Sequence, residues 1–287
     1  MLSRPEPFGA PADEPFGTHA PSRRLAALLR LTRALPDSDT GRRLALGVER
    51  ATIRRLEGRA VDLEAFGARF RLHPHDNAFE RCILFTPQLF EAEERALLAR
   101  RIGGGSFVFV DVGCNVGAYS LFVAARAGAG ARILAIEPQQ ALFERLVFNI
   151  GANAGGRIKA VACAVADRDG EVTLFLDAVN RGESSVKLVR PEERAGGQVA
   201  VPARTLLGLV QEEGLPRIDA LKLHVEGAED LVLEPFLRTA PAALRPGLIV
   251  LGRAPEAWHC DLEGLLGERG YREIARTRTN LVYERRA

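Results

Sequence analysis

Apolar residues along this chain recur with the periods of strands and helices, and the pattern predicts an α/β protein. The clearest unit is an apolar run at 107–112, a turn of small residues at 113–117 and a helical pattern at 118–128. Alternation of strands and helices at this spacing builds a mainly parallel sheet covered by helices on both faces. Further strand and helix patterns follow at 132–137, 140–150, 158–165, 171–177, 205–213, 220–225, 228–237, 248–251 and 262–269.

The last apolar stretch, residues 271–285, alternates like a hairpin that turns near 279–280. This hairpin adds an antiparallel strand, so we expect a mainly parallel seven-stranded sheet with a terminal antiparallel hairpin. Residues 178–200 are polar and rich in Gly, and they predict a loop at the mouth of the site.

The N-terminal part of the chain predicts an extension to this sheet. Residues 1–21 are rich in Pro, Gly and Ala and are expected to form a disordered tail. Residues 22–72 predict two helices, the first capped by Ser22, followed by a small hairpin. Residues 73–287 then form the main domain.

The two N-terminal helices are rich in arginine. A basic surface for a membrane or an acidic partner is one interpretation. A solvated face of helices that cover the main domain is the favoured one, because charge runs on helices usually face water. The arginines are Arg23, Arg24, Arg30, Arg33, Arg42, Arg43, Arg50, Arg54 and Arg55.

The composition is that of an ordinary globular protein, with 47% hydrophobic and 26% charged residues. The formal net charge of +2 gives no indication of a nucleic-acid partner. No apolar run approaches the roughly 20 residues of a membrane helix, and no secretory signal is visible. The four cysteines are widely spaced, which favours reduced thiols in a cytoplasmic protein over disulfides or a zinc site.

The sequence His73-Pro74-His75-Asp76 is a candidate metal site. A His-x-His pair beside an Asp has the residue types of a metal site, but no further ligand is visible nearby. A Pro-containing turn is the favoured interpretation, and we expect no metal.

The turn after the first central strand carries the main candidate chemistry. Its sequence is D-x-G-x-x-x-G, with Asp111, Gly113 and Gly117 at the defined positions. The dinucleotide fingerprint G-x-G-x-x-G needs its middle glycine for a close approach to a pyrophosphate, and Asn115 stands there instead. Asp111 would repel a diphosphate and attract an ammonium group. The loop therefore favours S-adenosylmethionine (SAM), with Asp111 acting on its amino-acid end directly or through water.

Two later acids extend this cofactor site. Glu137 ends the next strand, where a carboxylate meets ribose hydroxyls in either cofactor class because it accepts two hydrogen bonds at once. An exposed strand-end acid is the alternative, and the spacing to the glycine loop favours the cofactor contact. The adenine is expected near the end of the third strand, with Asp167 as its candidate residue.

These blocks resemble the FkbM-like family of SAM-dependent methyltransferases over roughly residues 70–285. The resemblance rests on VDVGCNVGAYS (110–120), AIEPQ (135–139) and IDALKLHVEGAEDLVL (218–233), with support from HDNAFE (75–80), GESS (182–185) and VPARTL (201–206). It implies the methyltransferase variant of a Rossmann-like sheet and methyl transfer to a hydroxyl of a small molecule or carbohydrate.

The chain departs from the family pattern on the acceptor side. The family usually has K-I-D-V-E-G-A-E where this chain has Lys222 to Glu229 with His224 in place of the acid. Acids are also replaced at Leu207 and in the run 251–253. His224 is either a general base or a residue at the end of the strand that only forms hydrogen bonds with its neighbours. Glu226 and Lys222 complete the candidate catalytic set, with a glutamate expected to pair with the buried Lys222.

The sequence thus predicts an O-methyltransferase that uses SAM. A regulatory or scaffold protein that binds the cofactor without transferring a methyl group is the alternative, because three acids are lost. A nicotinamide-dependent oxidoreductase is the weaker alternative, because Asn115 and Asp111 do not suit a pyrophosphate.

Overall fold

The computed structural model of the protein describes residues 14–153, 156–175 and 197–286. The loop predicted at 178–200 therefore lies outside the described residues except for its last four. The helices are α1 (Arg23–Arg33), α2 (Asp39–Leu56), α3 (Ala78–Phe85), α4 (Ala92–Arg101), α5 (Ala118–Ala124), α6 (Gln140–Gly151), α7 (Leu206–Glu212), α8 (Glu229–Thr239) and α9 (Leu262–Glu268). The strands are β1 (Val61–Ala65), β2 (Ala68–Leu72), β3 (Val108–Val112), β4 (Arg132–Ile136), β5 (Ile158–Val161), β6 (Ala164–Ala166), β7 (Gly170–Phe175), β8 (Gln198–Thr205), β9 (Ala220–Leu223), β10 (Leu248–Gly252), β11 (Tyr271–Arg276) and β12 (Asn280–Arg285).

Within the described ranges, seven strands form the central sheet in the order β11-β12-β10-β9-β3-β4-β5. Strands β5, β4, β3, β9 and β10 are parallel, and β12 runs antiparallel to both β10 and β11. The predicted mainly parallel seven-stranded sheet with a closing antiparallel hairpin is confirmed. From β3 the chain first builds outward through β4 and β5, and it then returns to add β9 on the other side of β3. Ligands of such sheets bind at this reversal, outside the carboxyl ends of the strands.

The central strand β3 separates the two apolar layers of the fold. Phe109 faces a buried cluster that includes Phe122 of α5, whereas Val108 and Val110 face a second cluster with Phe236 of α8. This alternation follows from the two-residue period of a strand, and burial on both faces explains why the run has almost no polar residues.

The N-terminal extension packs into the first of these layers. Leu25 and Leu29 of α1, and Phe70 of β2, belong to the same buried cluster as Phe109. Both predicted helices exist, and the Ser22 hydroxyl accepts the Leu25 N–H as predicted for an N-cap. The extension thus shares the apolar core of the main sheet.

Part of the predicted disordered tail lies against the hairpin. Residues 1–13 are outside the described residues, but the Gly17 and His19 N–H groups donate to Asp62 Oδ2 at 2.7 and 3.1 Å. Asp62 is itself paired with the buried Arg71, at 2.8 Å between Oδ1 and Nε. The disorder prediction was therefore wrong for residues 14–21, because a buried ion pair binds their backbone.

The predicted third strand at 158–165 divides into two. Only β5 joins the central sheet, whereas β6 pairs with β8 in a separate three-stranded sheet with β7. Strand β8 begins at Gln198, so the predicted loop was wrong at 198–200. In the described ranges no helix is both long and apolar enough to cross a membrane.

Candidate functional site

A cavity opens where the order of the central sheet reverses, at the carboxyl ends of β3 and β9. Its lining comes from segments that are far apart in sequence. One group comes from the turns after β3 and β4, from α6 and from β7, namely Gly113, Cys114, Asn115, Val116, Glu137, Pro138, Gln139, Leu142 and Leu174. The other group contains Phe79, Ile83, Phe90, Glu91, Ala118, Tyr119, Lys222, His224, Val225 and Glu226.

The turn after β3 is shaped by three residues with left-handed backbone. Gly113, Asn115 and Gly117 have φ values of 68°, 53° and 88°. Glycine and, less readily, asparagine adopt this region, so the loop sequence matches its conformation. A Cβ at Gly113 would lie 2.0 Å from the His224 carbonyl oxygen, and one at Gly117 would lie 2.6 Å from a methyl of Leu146. Gly113 is therefore required by close approach to backbone as well as by φ, whereas at Gly117 the left-handed φ is the main requirement because the neighbouring methyl ends a flexible side chain.

Glu137 lies at the end of β4 and faces this turn. Its Oε2 accepts the Asn115 N–H at 2.9 Å, and its Oε1 accepts the Gln139 N–H at 3.0 Å. Burial raises the pKa of Glu137 to about 7, although these two N–H groups favour the charged form. A carboxylate has about four lone-pair positions, so each oxygen retains the capacity to accept a hydroxyl of a ligand.

Asp111 lies behind the turn, outside the residues that line the cavity. Its Oδ2 accepts the backbone N–H of Ser120 at 3.0 Å and the Ser120 hydroxyl at 2.7 Å. The carboxylate therefore binds the first turn of α5, where an anion stabilises the helix. Burial raises its pKa, and Lys222 opposes that shift. The structure therefore gives Asp111 a contact with the helix that follows the loop, and its action on the cofactor, directly or through water, stays a prediction.

Lys222 on β9 holds the same turn from the other side. Its Nζ donates to the Gly113 carbonyl at 3.1 Å and lies 3.9 Å from Asp111 Oδ1. The predicted pairing of Lys222 with a glutamate was wrong, because Asp111 on the neighbouring strand is opposite it in the parallel register. Lys222 also lines the cavity. The residue that supports the loop can therefore also contact a ligand in the cavity.

His224 and Glu226 follow β9 at the cavity wall. His224 Nε2 lies 3.4 Å from Glu226 Oε1, and the imidazole ring meets Phe79 edge-on at 5.8 Å between centroids. Its buried Nδ1 has no hydrogen-bond partner among the described residues. Glu226 has a φ of 55°, which is uncommon for a residue with a side chain. The structure thus brings two of the three predicted catalytic residues, His224 and Glu226, together.

Glu229 holds the turn after β9 through contacts that the sequence did not reveal. Its Oε1 accepts the Val225 N–H at 3.0 Å, its Oε2 accepts the Gly227 N–H at 3.1 Å, and Trp258 Nε1 donates to Oε2 at 3.0 Å. These bonds hold the turn that contains Glu226.

The His73–Asp76 segment forms a turn into α3, a helix that the sequence analysis missed. Asp76 pairs with Arg145 of α6 through two bonds of 2.9 and 2.8 Å, and His75 Nε2 accepts the Gly58 N–H. Asn77 caps α3 and also contacts Asn115 of the glycine turn. Asn77 and Glu80 have the spacing of a helix start, which is the signal that could have found this helix.

Asp167 is not brought to the cavity. Its side chain is exposed on the turn between β6 and β7, 3.1 Å from Arg168, and it is absent from the lining. The prediction placed it at the end of a single third strand, and the division of that strand removes it. We therefore withdraw Asp167 from the candidate site.

The charges of the lining fit a cationic ligand better than a diphosphate. Glu91, Glu137 and Glu226 contribute carboxylates, and Lys222 is the one Lys or Arg among the described residues that line the cavity. Lys222 is already bound to Gly113 and Asp111. SAM carries a sulfonium and an ammonium group and no phosphate, so the described residues fit it.

The sequence and the fold were compared with known proteins. The profile of the methyltransferase FkbM domain matches residues 111–273. Methyltransferase sdnD of Sordaria araneosa is 30% identical over 196 residues, which cover 59% of this chain and 74% of that protein.

Among solved structures, the precorrin-6y C5,15-methyltransferase of Geobacter metallireducens GS-15 is 14% identical. It has a TM-score of 0.41 and covers 68% of this chain and 88% of its own. The N-terminal domain of human METTL16 in complex with SAH is 16% identical with a TM-score of 0.40, over 70% and 72% of the two chains. The profile match spans more than half of the chain and contains the glycine turn, Glu137 and the His224–Glu229 segment. The chain therefore belongs to the FkbM family of SAM-dependent methyltransferases.

Proposed function

We propose that this protein transfers a methyl group from SAM to a hydroxyl oxygen of a small molecule or carbohydrate. The observation that carries the proposal is the His224–Glu226 pair on the wall of the cavity, with Nε2 and Oε1 3.4 Å apart. A hydroxyl acceptor loses a proton as its oxygen is methylated, and imidazole is the side chain best suited to take that proton near neutral pH.

The cofactor is proposed to lie along the glycine turn with its ribose at Glu137. Both carboxylate oxygens already accept one backbone N–H each, which fixes the orientation of the group. Adjacent ribose hydroxyls would donate to the remaining lone pairs. Bound SAM supplies an electrophilic methyl group. The protein then has to hold the acceptor in line with it and exclude water.

Glu226 is proposed to orient His224. A carboxylate beside an imidazole fixes the orientation of the ring, as the acid does in a Ser-His-Asp triad. Phe79 packs edge-on against the ring and limits its rotation. Lys222 is proposed to support the cofactor turn, since its Nζ binds the Gly113 carbonyl.

A neutral or hydroxylated acceptor is proposed in preference to a nucleic acid. Glu91 and Glu226 line the part of the cavity proposed for the acceptor, and their carboxylates would repel phosphates. Phe79, Phe90 and Tyr119 on the same side offer apolar surface instead.

The test uses labelled SAM with a cell extract and compares the wild type with His224→Asn. We expect label in small-molecule ethers and a loss of roughly 10²- to 10⁴-fold in the variant, as is typical for removal of a general base. The affinity for S-adenosylhomocysteine (SAH), measured by calorimetry, should stay unchanged. His259→Ala is the matched control, because that side chain is largely exposed outside the cavity lining.

Other outcomes decide between the alternatives. Binding of SAH with no labelled product from any extract would favour the cofactor-binding scaffold protein. Label in nucleic acid would contradict the acceptor class, and full activity of His224→Asn would contradict the general base. Failure of the wild type to bind SAH would contradict the proposed cofactor site.

A further inference from the structure

Helix α3 contacts both sides of the cavity through neighbouring residues. Phe79 lines the acceptor side against His224, and Asn77, two residues earlier, reaches the cofactor turn. Asn77 is fully buried. Neither the family profile nor the predicted site residues include it.

Both the oxygen and the nitrogen of the Asn77 side-chain amide form hydrogen bonds. Its Oδ1 accepts the N–H groups of Phe79 and Glu80 at 2.9 and 3.3 Å, which caps α3. Its Nδ2 donates to Asn115 Oδ1 at 2.8 Å. The two N–H groups of the helix require the carbonyl oxygen on their side, so the network fixes the NH₂ group toward Asn115.

Asn115 links the contact with Asn77 to the conformation of the cofactor turn. Its Oδ1 also accepts the Val116 N–H at 2.9 Å, and its own N–H donates to Glu137 Oε2 at 2.9 Å. The residue has a left-handed φ of 53°, which costs free energy unless its surroundings hold it. A donor from α3 is a third constraint on this conformation, and it acts on the residue that orients Glu137.

The helix that presents Asn77 is itself fixed. Arg145 of α6 binds Asp76 on one side of Asn77 and Glu80 on the other, with Nη1 2.5 Å from Glu80 Oε1. Glu80 is fully buried, and the Arg145 side chain is 9% exposed. A buried and multiply bonded arginine holds the first turn of α3 rigidly, which is what a supporting contact for a binding site requires.

We propose that Asn77 is a positioning residue for the cofactor, and that it acts by holding Asn115 in the conformation that orients Glu137. Three residues of the segment 75–80, namely Asp76, Asn77 and Glu80, thereby support the cofactor turn from the beginning of α3, which is not part of that turn. The proposal rests on the proposed placement of the ribose at Glu137.

The experiment compares SAH affinity by calorimetry in the wild type, Asn77→Ser and Asn77→Asp. Serine and aspartate are good N-caps, so both variants keep the helix cap and lose the donor to Asn115. We expect SAH affinity to fall roughly five- to tenfold in Asn77→Ser, which is the size of one hydrogen bond. Asn77→Asp should lose at least as much, because it places a carboxylate oxygen opposite Asn115 Oδ1.

Ser38→Ala is the matched control. Ser38 caps α2 by accepting the Gly41 N–H at 3.1 Å, away from the cavity. Its loss should lower the melting temperature and leave SAH affinity unchanged. Asn77→Ser should lower the melting temperature by about as much and should, unlike Ser38→Ala, also lower SAH affinity.

A double-mutant cycle with Asn115→Ala separates positioning from a general effect on the fold. If Asn77 acts through Asn115, adding Asn77→Ser to Asn115→Ala should cause no further loss of affinity. An equal loss in both backgrounds would overturn the proposal, and so would wild-type affinity in Asn77→Ser or Asn77→Asp. These results leave the proposed function intact, whereas a wild type that fails to bind SAH overturns both.

Discussion

The two sides of the cavity are built in different ways. On the cofactor side, the conformation is determined by a short stretch in which Gly113, Asn115 and Gly117 adopt left-handed backbone. The Gly113 and Cys114 N–H groups both donate to the Ile136 carbonyl at 3.0 and 3.1 Å, next to Glu137 in sequence. On the side proposed for the acceptor, side chains come from α3, the start of α4, α5 and the turn after β9.

The difference shows which part of the site tolerates change. The cofactor side depends on backbone geometry, so a single Cβ can disrupt it. The acceptor side depends on side chains that different segments supply, so it can change residue by residue while the turn persists. Of the three places where family acids are replaced, 207, 224 and 251–253, only 224 is among the described residues that line the cavity, while the cofactor motif is complete.

The two sides meet at Gly113, and Gly113→Ala should have the largest effect. The new Cβ would lie 2.0 Å from the His224 carbonyl oxygen in a residue with φ of 68°. We expect a loss of about 3 kcal/mol or more in the free energy of unfolding. SAH binding should be lost, as measured by calorimetry alongside chemical denaturation.

Gly151→Ala is the control for that change. Gly151 ends α6, has no atom within 4 Å of its added Cβ, and is not in the left-handed region. It should be neutral or slightly stabilising. A Gly113→Ala protein with wild-type stability and affinity would contradict the close contact between the two sides.

Glu137→Gln should have an intermediate effect confined to the cofactor side. Ribose hydroxyls donate more strongly to the charged carboxylate, so binding favours the ionised form of Glu137, whose pKa burial raises to about 7. SAH affinity should therefore fall as the pH drops from 8 to 6. In Glu137→Gln it should be roughly tenfold lower at pH 8, and the slope that Glu137 contributes should be absent.

The measurement is calorimetry across this pH range, with Glu144→Gln as the control on the exposed face of α6. An unchanged pH slope in Glu137→Gln would assign the titration to another group. Unchanged affinity at pH 8 would remove Glu137 from the cofactor contacts.

Trp258→Phe should have the smallest effect, and only on the acceptor side. It removes the indole N–H that donates to Glu229. The carboxylate of Glu229 still accepts the N–H groups of Val225 and Gly227. We expect a loss of about 1 kcal/mol in stability and a few-fold lower methyl transfer, with SAH affinity unchanged. The assay is label transfer beside thermal unfolding, and Glu256→Gln in the same segment is the control. A fall in SAH affinity would show that the two sides are coupled through Glu229.

Much of the fold could be predicted because its signals are local. The apolar run of β3, the turn glycines and the alternation of the closing hairpin are each readable within about fifteen residues. The division between β5 and β6 could not be read, because the segment 158–166 is mostly small and apolar and contains no Gly or Pro to mark the change of partner strand. Asp167 was misplaced for the same reason.

The contacts of the site residues were less predictable than their identities. Asp111 and Lys222 were both singled out, and they contact Ser120, Gly113 and each other, whereas the sequence had predicted a glutamate beside Lys222. Charge and position on a strand indicate that a residue is buried and needs a partner. They do not indicate which of several nearby groups the strand register places opposite it.

The sequence by itself determined the sheet, the left-handed glycine turn and the choice of a sulfonium cofactor over a dinucleotide, because backbone conformation and ligand charge depend on neighbouring residue types. Only the tertiary structure decided that Asn77 contacts Asn115 across 38 positions, that Phe79 packs on His224, and that Glu229 binds Trp258. These contacts depend on how α3, α8 and the segment after β10 pack at one edge of the sheet, and no local pattern encodes the distance between segments that pack.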